Sequence, residues 1–217
     1  MNAQPLAYVN REFIKGSELS HVRQLADPKW RGKISSADPR AGAAMVGLSV
    51  LLVDKSFGEK FMRSVILGNK TVVTRNPRLQ TDWLVRGKYP IAIAPSIAIV
   101  HGYQKRGMKA AMNVKPLAGP QSYSSLFGGL IAWKNPPHPN AAKVYANWVL
   151  TRAVQQAIAT SAIYNSRRTD VTPGNPLAVM TKKTLKGARN LQTEDMLPHY
   201  QTVLKMGREL GSGKKRK

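Results

Sequence analysis

Apolar positions recur with two different periods along the first half of the chain, and the alternation between those periods predicts alternating strands and helices. Lys33-Ile34-Ser35-Ser36 reads as the end of a strand. Asp38-Pro39 then opens a helix, with Asp at the N-cap and Pro at the first helical position, continued by the small and apolar run from Ala41 to Val53. Phe57, Phe61, Val65 and Ile66 share one face of a second helix, closed by Gly68-Asn69. Lys70 to Thr74 is a strand, and Asn76-Pro77 starts a helix that turns Leu79, Trp83 and Leu84 inward and ends at Gly87. The apolar run from Tyr89 to Ala94 has strand length and almost no polar interruption, as expected of a strand covered on both faces. Ser96 to Arg106 returns as helix before Gly107, and Asn113 to Leu117 is a further strand. This order of elements defines an α/β architecture with helices packed on a sheet.

Past Gly119-Pro120 the pattern changes. Gly128 to Lys134 predicts another strand, and Pro136, Pro137 and Pro139 impose a turn. Asn140 to Ala159 predicts a long amphipathic helix with Ala141, Val144, Tyr145, Trp148, Val149 and Leu150 as its apolar stripe. From Thr172 onward the pattern decays into turns and weak helices, and Gly211 to Lys217 is a flexible basic tail.

Three of the predicted turns follow the carboxyl ends of strands, the edge at which open α/β sheets bind ligands. In the first, Ser35 to Ala43, the amides of Ala41, Gly42 and Ala43 open a helix whose small side chains let an anion approach. The same residues also suit a turn in which Asp38 merely caps the helix and nothing binds. In the second, Thr74-Arg75-Asn76, Arg75 can hold a carboxylate or phosphate through two N–H groups, or lie in solvent as an ordinary surface arginine. In the third, Pro95-Ser96, the serine hydroxyl stands at a helix start. Together with Arg40, these turns nominate Arg40, Ala41, Gly42, Ala43, Arg75, Asn76 and Ser96 as ligand-binding residues.

Composition narrows the chemistry. The 217 residues hold no cysteine, which excludes thiolate catalysis, disulfides and Cys-based metal sites. His21, His101, His138 and His199 are scattered without metal-ligand spacing, no G-x-S-x-G elbow or P-loop is present, and no nucleophile–base pair stands out, so neither a metal, a cofactor nor a catalytic residue is expected. Lys and Arg number 34 against 11 Asp and Glu, a net charge of +23. Such charge suits a nucleic-acid-binding protein, the rival reading, yet the basic residues are dispersed rather than striped and carry no nucleic-acid motif. The longest apolar stretches fall short of the roughly twenty residues a membrane helix needs. The first ten residues lack the basic and apolar regions of a secretory signal.

Several segments resemble the family 1 extracellular solute-binding proteins, the type II periplasmic binding proteins of ABC importers. They are Tyr8-Val9-Asn10, Leu25-Ala26-Asp27-Pro28-Lys29-Trp30-Arg31-Gly32-Lys33-Ile34, Ser36-Ala37-Asp38-Pro39-Arg40, and the run from Trp83 to Ala92. His138-Pro139-Asn140-Ala141-Ala142-Lys143, Asn147-Trp148-Val149-Leu150, Gln155 and Asn165 to Val171 complete the likeness, which spans Tyr8 to Val171. The resemblance implies two α/β lobes joined by crossover strands and closing on a small solute. The solute would be delivered to a membrane permease outside the cytoplasm by a monomeric, non-enzymatic receptor that meets the membrane only through that permease. Family members carry a signal peptide and a half-lobe before the Tyr-Val-Asn strand, so the first lobe is expected to be incomplete here. The implied layout is a hinge strand and lead-in over 1–30, the second lobe over 31–125, a return strand and helices of the first lobe over 126–171, and an irregular region with a basic tail over 172–217. Iron-binding members place paired tyrosines after the strand equivalent to Tyr89–Ala94. Pro95-Ser96 stands there in this chain, and the expected solute is a small polar or anionic molecule.

Overall fold

The computed structural model describes residues 2–124, 130–162, 165–176, 179, 181–182 and 188–211. Its centre is a five-stranded sheet in the order β4-β3-β5-β2-β6, formed by β2 (Ala7–Asn10), β3 (Ile34–Ala37), β4 (Val72–Thr74), β5 (Ile91–Ile93) and β6 (Val114–Pro116). β3 runs parallel to both β4 and β5, whereas β2 lies antiparallel between β5 and β6. The strands expected between Lys33 and Leu117 are all present, and the helices fall between them. They are α1 (Gly42–Val53), α2 (Gly58–Arg63, continued by a wider turn over Ser64–Gly68), α3 (Pro77–Val85), α4 (Ile97–Lys105) and α5 (Lys109–Met112).

Side chains alternate across each strand, and here both faces are covered. On β2 and β5, Ala7, Val9, Ile91 and Ile93 point into a core shared with Leu48 and Leu51 of α1 and Met62 of α2. Tyr8 and Ala92 point the other way, against Leu84 and Val85 of α3 and Val100 of α4. The inward face of α3 differs from the expected one: Gln80, Thr81, Leu84 and Val85 are buried, while Leu79 is exposed. The motif around Asp27 is structural. Asp27 caps a 3-10 turn over Pro28–Trp30, Trp30 is buried, and Gly32 takes the left-handed φ of 74° that leads the chain into β3.

A second, three-stranded sheet has the order β1-β7-β8, with β1 at Asn2–Pro5, β7 at Gln121–Ser124 and β8 at Ala188–Asn190. Only Leu6 separates β1 from β2, and only four residues separate β6 from β7, so the chain passes twice, side by side, from one sheet to the other.

The expected layout of the C-terminal half needs three corrections. The strand predicted over Gly128–Lys134 does not form across 130–134, and positions 128 and 129 lie outside the described residues. The single long helix over Asn140–Ala159 is two helices, α6 (Pro139–Val149) and α7 (Arg152–Ala162), broken at Leu150-Thr151. Of its apolar stripe only Val149 is buried: Val144, Tyr145, Trp148 and Leu150 are exposed, and in the preceding segment Ile131 and Trp133 are 87% and 80% exposed. The predicted irregular region over 172–217 contains β8 and a fifteen-residue helix, α8 (Leu197–Gly211). α8 packs on α1, sends Val203 and Met206 into the main core, and is tied to α2 by Arg63, whose Nη1 donates to Glu209 at 2.7 Å. The tail from 212 lies outside the described residues.

Asn10 locks β2 to its helices. Fully buried, its side-chain amide donates to the carbonyls of Leu84 and Val85 at the end of α3 and to that of Ala110. Replacing it with alanine strands those acceptors. We expect Asn10→Ala to lower the free energy of urea unfolding by about 3 kcal/mol with little change in the denaturant slope.

Candidate functional site

The three predicted turns meet. A cavity of about 310 Å³ opens at the carboxyl ends of β3, β4 and β5, where the chain crosses between the two sheets. Asp38 and Ala41 border it from the first turn, Arg75 from the second, and Pro95 and Ser96 from the third. Leu6 of the crossover, Ser122 of β7 and Asn175 close it from the side of the smaller sheet.

Asp38 organises the rim in a way the sequence reading did not anticipate. Its side chain is only 3% exposed and accepts from Arg40 Nη2 at 2.7 Å, from Arg40 Nε at 2.9 Å and from Arg75 Nε at 2.8 Å. It also accepts from the Arg40 amide at 2.8 Å. The guanidinium of Arg40, first of all, holds this carboxyl well below the usual carboxylate range. Asp38 is therefore not the N-cap of α1. That place belongs to Ala41, which has no side chain to cap with, and the helix starts at Gly42. Ala41 donates its own amide to the Asp38 carbonyl at 2.8 Å, so it is not a free donor. The first bond within the helix runs from Met45 to Ala41. The amides that precede it are those of Gly42, Ala43 and Ala44, one residue later than expected.

The nominated side chains divide into two groups. Arg40 is engaged by Asp38 and borders not the cavity but an adjoining outer hollow, which shares Asp38, Thr74 and Arg75 with it. Asn76 caps α3, its side-chain oxygen accepting from the amides of Arg78 and Leu79. Arg75 and Ser96 face the cavity. Arg75 is 67% exposed and bonds Asp38 through Nε, leaving its two terminal nitrogens without a partner among the described residues. Since Arg40 already matches the Asp38 charge through a two-pronged contact, Arg75 is the surplus cation at the rim. Ser96 sits at the N-cap of α4, and its hydroxyl makes no capping bond.

Among the lining residues not nominated from the sequence are two with buried polar groups, Gln80 and Tyr8. Gln80 lies on the inward face of α3, and Tyr8 is buried on β2 among α3 and α4 residues. Gln80 stands one turn before Leu84 and next to Thr81, so the helical period itself contained that signal. Nothing in the pattern around Tyr8 marks it as a lining residue. Burial raises the Tyr8 phenol above its ordinary range and keeps it protonated.

The backbone at the cavity mouth is strained. Ala94, directly after β5, has a left-handed φ of 49° and donates its amide to Leu6 of the crossover at 2.8 Å. A close approach supports the rim from behind: a Cβ on Gly207 of α8 would lie 2.9 Å from Cγ of Arg40.

No protein-family model matches the chain, and no curated relative matches it either. Solved structures do. It is similar to the apo ferric ion-binding protein A of Pasteurella haemolytica, at 14% identity and a TM-score of 0.69, over 97% of this chain and 68% of that one. Iron-bound HitA of Pseudomonas aeruginosa aligns at 17% identity and a TM-score of 0.67, with the same two coverages, 97% and 68%. A substrate-binding protein of an ABC transporter from Agrobacterium tumefaciens aligns at 12% identity and a TM-score of 0.62, over 97% of this chain and 65% of that one. The chain thus has the α/β fold of the type II periplasmic binding proteins and spans about two thirds of these neighbours' length.

Two outcomes check this description. Because the folded-state pKa of Asp38 is depressed, its contribution to stability is present above the unfolded value near 4 and is lost as the pH falls through the folded value. Asp38→Asn should therefore lower the melting temperature at pH 7, with the gap to the parent narrowing as the pH drops below about 4. At the cavity mouth, Ala94→Val places a β-branched side chain at positive φ. It should cost about 2 kcal/mol in urea unfolding, while Ala94→Gly stays within about 1 kcal/mol of the parent.

Proposed function

We propose that this chain is the solute-binding component of an ABC importer, working outside the cytoplasmic membrane and passing a small anionic solute to a permease. The observation that carries the reading is a cavity at the sheet crossover whose rim bears one unmatched cation, Arg75, beside the uncapped start of α1. The fold supports it, because the neighbours include a transporter's substrate-binding protein. No described helix is long and apolar enough to cross a membrane, which fits delivery through a separate permease. Binding needs no bond to be broken. A solute that touches both sides of the crossover favours whichever arrangement makes more contacts with it.

Several neighbours are described as ferric-binding. We infer a different solute here. A hard trivalent cation calls for anionic oxygen donors. Among the described residues lining the cavity, the one carboxylate, Asp38, is engaged by two arginines, and the one phenol, Tyr8, is held protonated. The surplus charge of Arg75 opposes a cation and favours an organic anion. The Ala44 amide and the Ser96 hydroxyl would complete its hydrogen bonds, while Gly42 does not line the cavity and Arg40 holds Asp38 in place rather than touching the solute.

A thermal-shift screen of small carboxylates, phosphate esters and neutral sugars tests the reading, since a bound solute raises the melting temperature by mass action. Anions should stabilise the protein saturably. Arg75→Ala should weaken the best of them about tenfold or more, as expected for a charged hydrogen bond. Titration of the variant identical to the parent's would remove Arg75 from the site. The rival reading, nucleic-acid binding through the +23 charge, draws no support from the structural neighbours. It would be favoured by a steep salt-dependent affinity for DNA in the absence of any saturable solute.

A further inference from the structure

We propose that the solute carries an N–H or O–H donor in addition to its negative charge, and that Gln80 is the residue that reads it. This inference rests on the solute-binding reading above and narrows it to a class: hydroxy- or amino-substituted organic acids in preference to plain ones.

Gln80 is 1% exposed and lines the cavity. Its side-chain Nε2 donates to the carbonyl of Ile93, the last residue of β5, at 2.9 Å. A carbonyl can only accept, so that bond fixes which end of the amide is nitrogen. The other end, Oε1, is buried and has no hydrogen-bond partner. An amide oxygen withdrawn from water and left without a donor is costly, and native interiors rarely tolerate it. The side chain is also immobilised. α3 presents Gln80, Thr81, Leu84 and Val85 to the sheet together, so Gln80 cannot swing out to meet water without unpacking that face. A second orphan lies on the same boundary: the Tyr8 hydroxyl, also buried and without a partner, belongs to a residue lining the same cavity. Being protonated, that phenol can donate as well as accept.

The two polar features of the site ask for different things. Arg75 and the Ala44 amide of α1 are donors and call for an acceptor on the solute, supplied by its anionic group. Gln80 Oε1 is an acceptor and calls for a donor. A bare anion meets only the first demand. A site built around a hydrogen-bonding group discriminates against the analogue that lacks it, because the buried protein partner is then left unmet.

The test uses matched acids of equal charge that differ in the donor: butyrate against 3-hydroxybutyrate, and benzoate against 4-hydroxybenzoate and 4-aminobenzoate, titrated calorimetrically into the parent and into Gln80→Met. The expected result is a preference of about tenfold or more for a donor-bearing acid in the parent. It should fall to within about twofold in Gln80→Met, while the donor-free acid keeps its affinity. Arg75→Ala should weaken both members of a pair alike and leave their ratio unchanged, which separates charge recognition from donor recognition. A parent that binds the acids without preferring donors overturns this inference and leaves the solute-binding reading standing. Should Gln80→Met not fold, that ratio in the parent still decides, with Tyr8→Phe as the second variant, expected to reduce it. A preference that survives intact in a folded Gln80→Met removes Gln80 from the role. Saturable binding of none of the acids would defeat the solute-binding reading itself.

Discussion

A single carboxylate withdrawn from water sets the geometry of the rim. Asp38 follows the last residue of β3, and a buried charge there is tolerable only if it is paired and fully hydrogen-bonded. Arg40 meets it with a forked contact two residues later, which bends the chain and delays the start of α1 to Gly42. Arg75 reaches it from the turn after β4, so the two neighbouring turns are bound to one anchor. The delayed helix start and the surplus cation are thus two results of one pairing. Both place positive potential at the same edge of the sheet.

The cavity exists because this edge coincides with the double passage between the sheets. The larger sheet contributes the rim charges, while Ser122 and Asn175 bring polar groups from beyond the crossover. Ala94 joins the two features: its left-handed backbone ends β5 and hands its amide to Leu6, so the strained residue ties the cavity rim to the crossover. Strain of this kind persists where the surroundings over-determine a conformation. Here the over-determination comes from β5 on one side and the crossover on the other.

Much of the larger sheet was legible in the sequence, since its strands and helices alternate cleanly and its turns carry strong Pro, Gly and Asn signals. The convergence of the turns at 38, 75 and 95 followed from the rule for open α/β sheets. Side-chain commitments did not follow. Nothing in the order Asp38-Pro39-Arg40 says that the carboxylate prefers the two arginines to the helix amides, a choice made by burial and by a partner 37 residues away. On α3 the expectation chose the larger hydrophobe, Leu79, over Gln80. The hydrogen bond to Ile93 makes the polar side chain the better fit to the sheet. The periodicity of α8, with Tyr200, Val203, Met206 and Leu210 on its inward side, is present in the sequence but obscured by the surrounding turns and basic residues. The stripe on α6 is the opposite case: the apolar spacing is plain in the sequence, but burial depends on neighbours that no local pattern reveals, and only Val149 is covered.

That outward-facing stripe has a colloidal consequence. Tyr145 and Trp148, in ring contact, and Ile131 and Trp133, nearby in sequence, expose apolar surface on a particle whose net charge of +23 pushes its copies apart. Long-range repulsion of this sort fades once the Debye length shrinks to about 8 Å in physiological salt. Short-range attraction between aromatic surfaces does not fade with it. Ionic strength therefore acts as the throttle on crowding of these molecules, with dilute buffer keeping them dispersed and added electrolyte letting the tryptophans find one another.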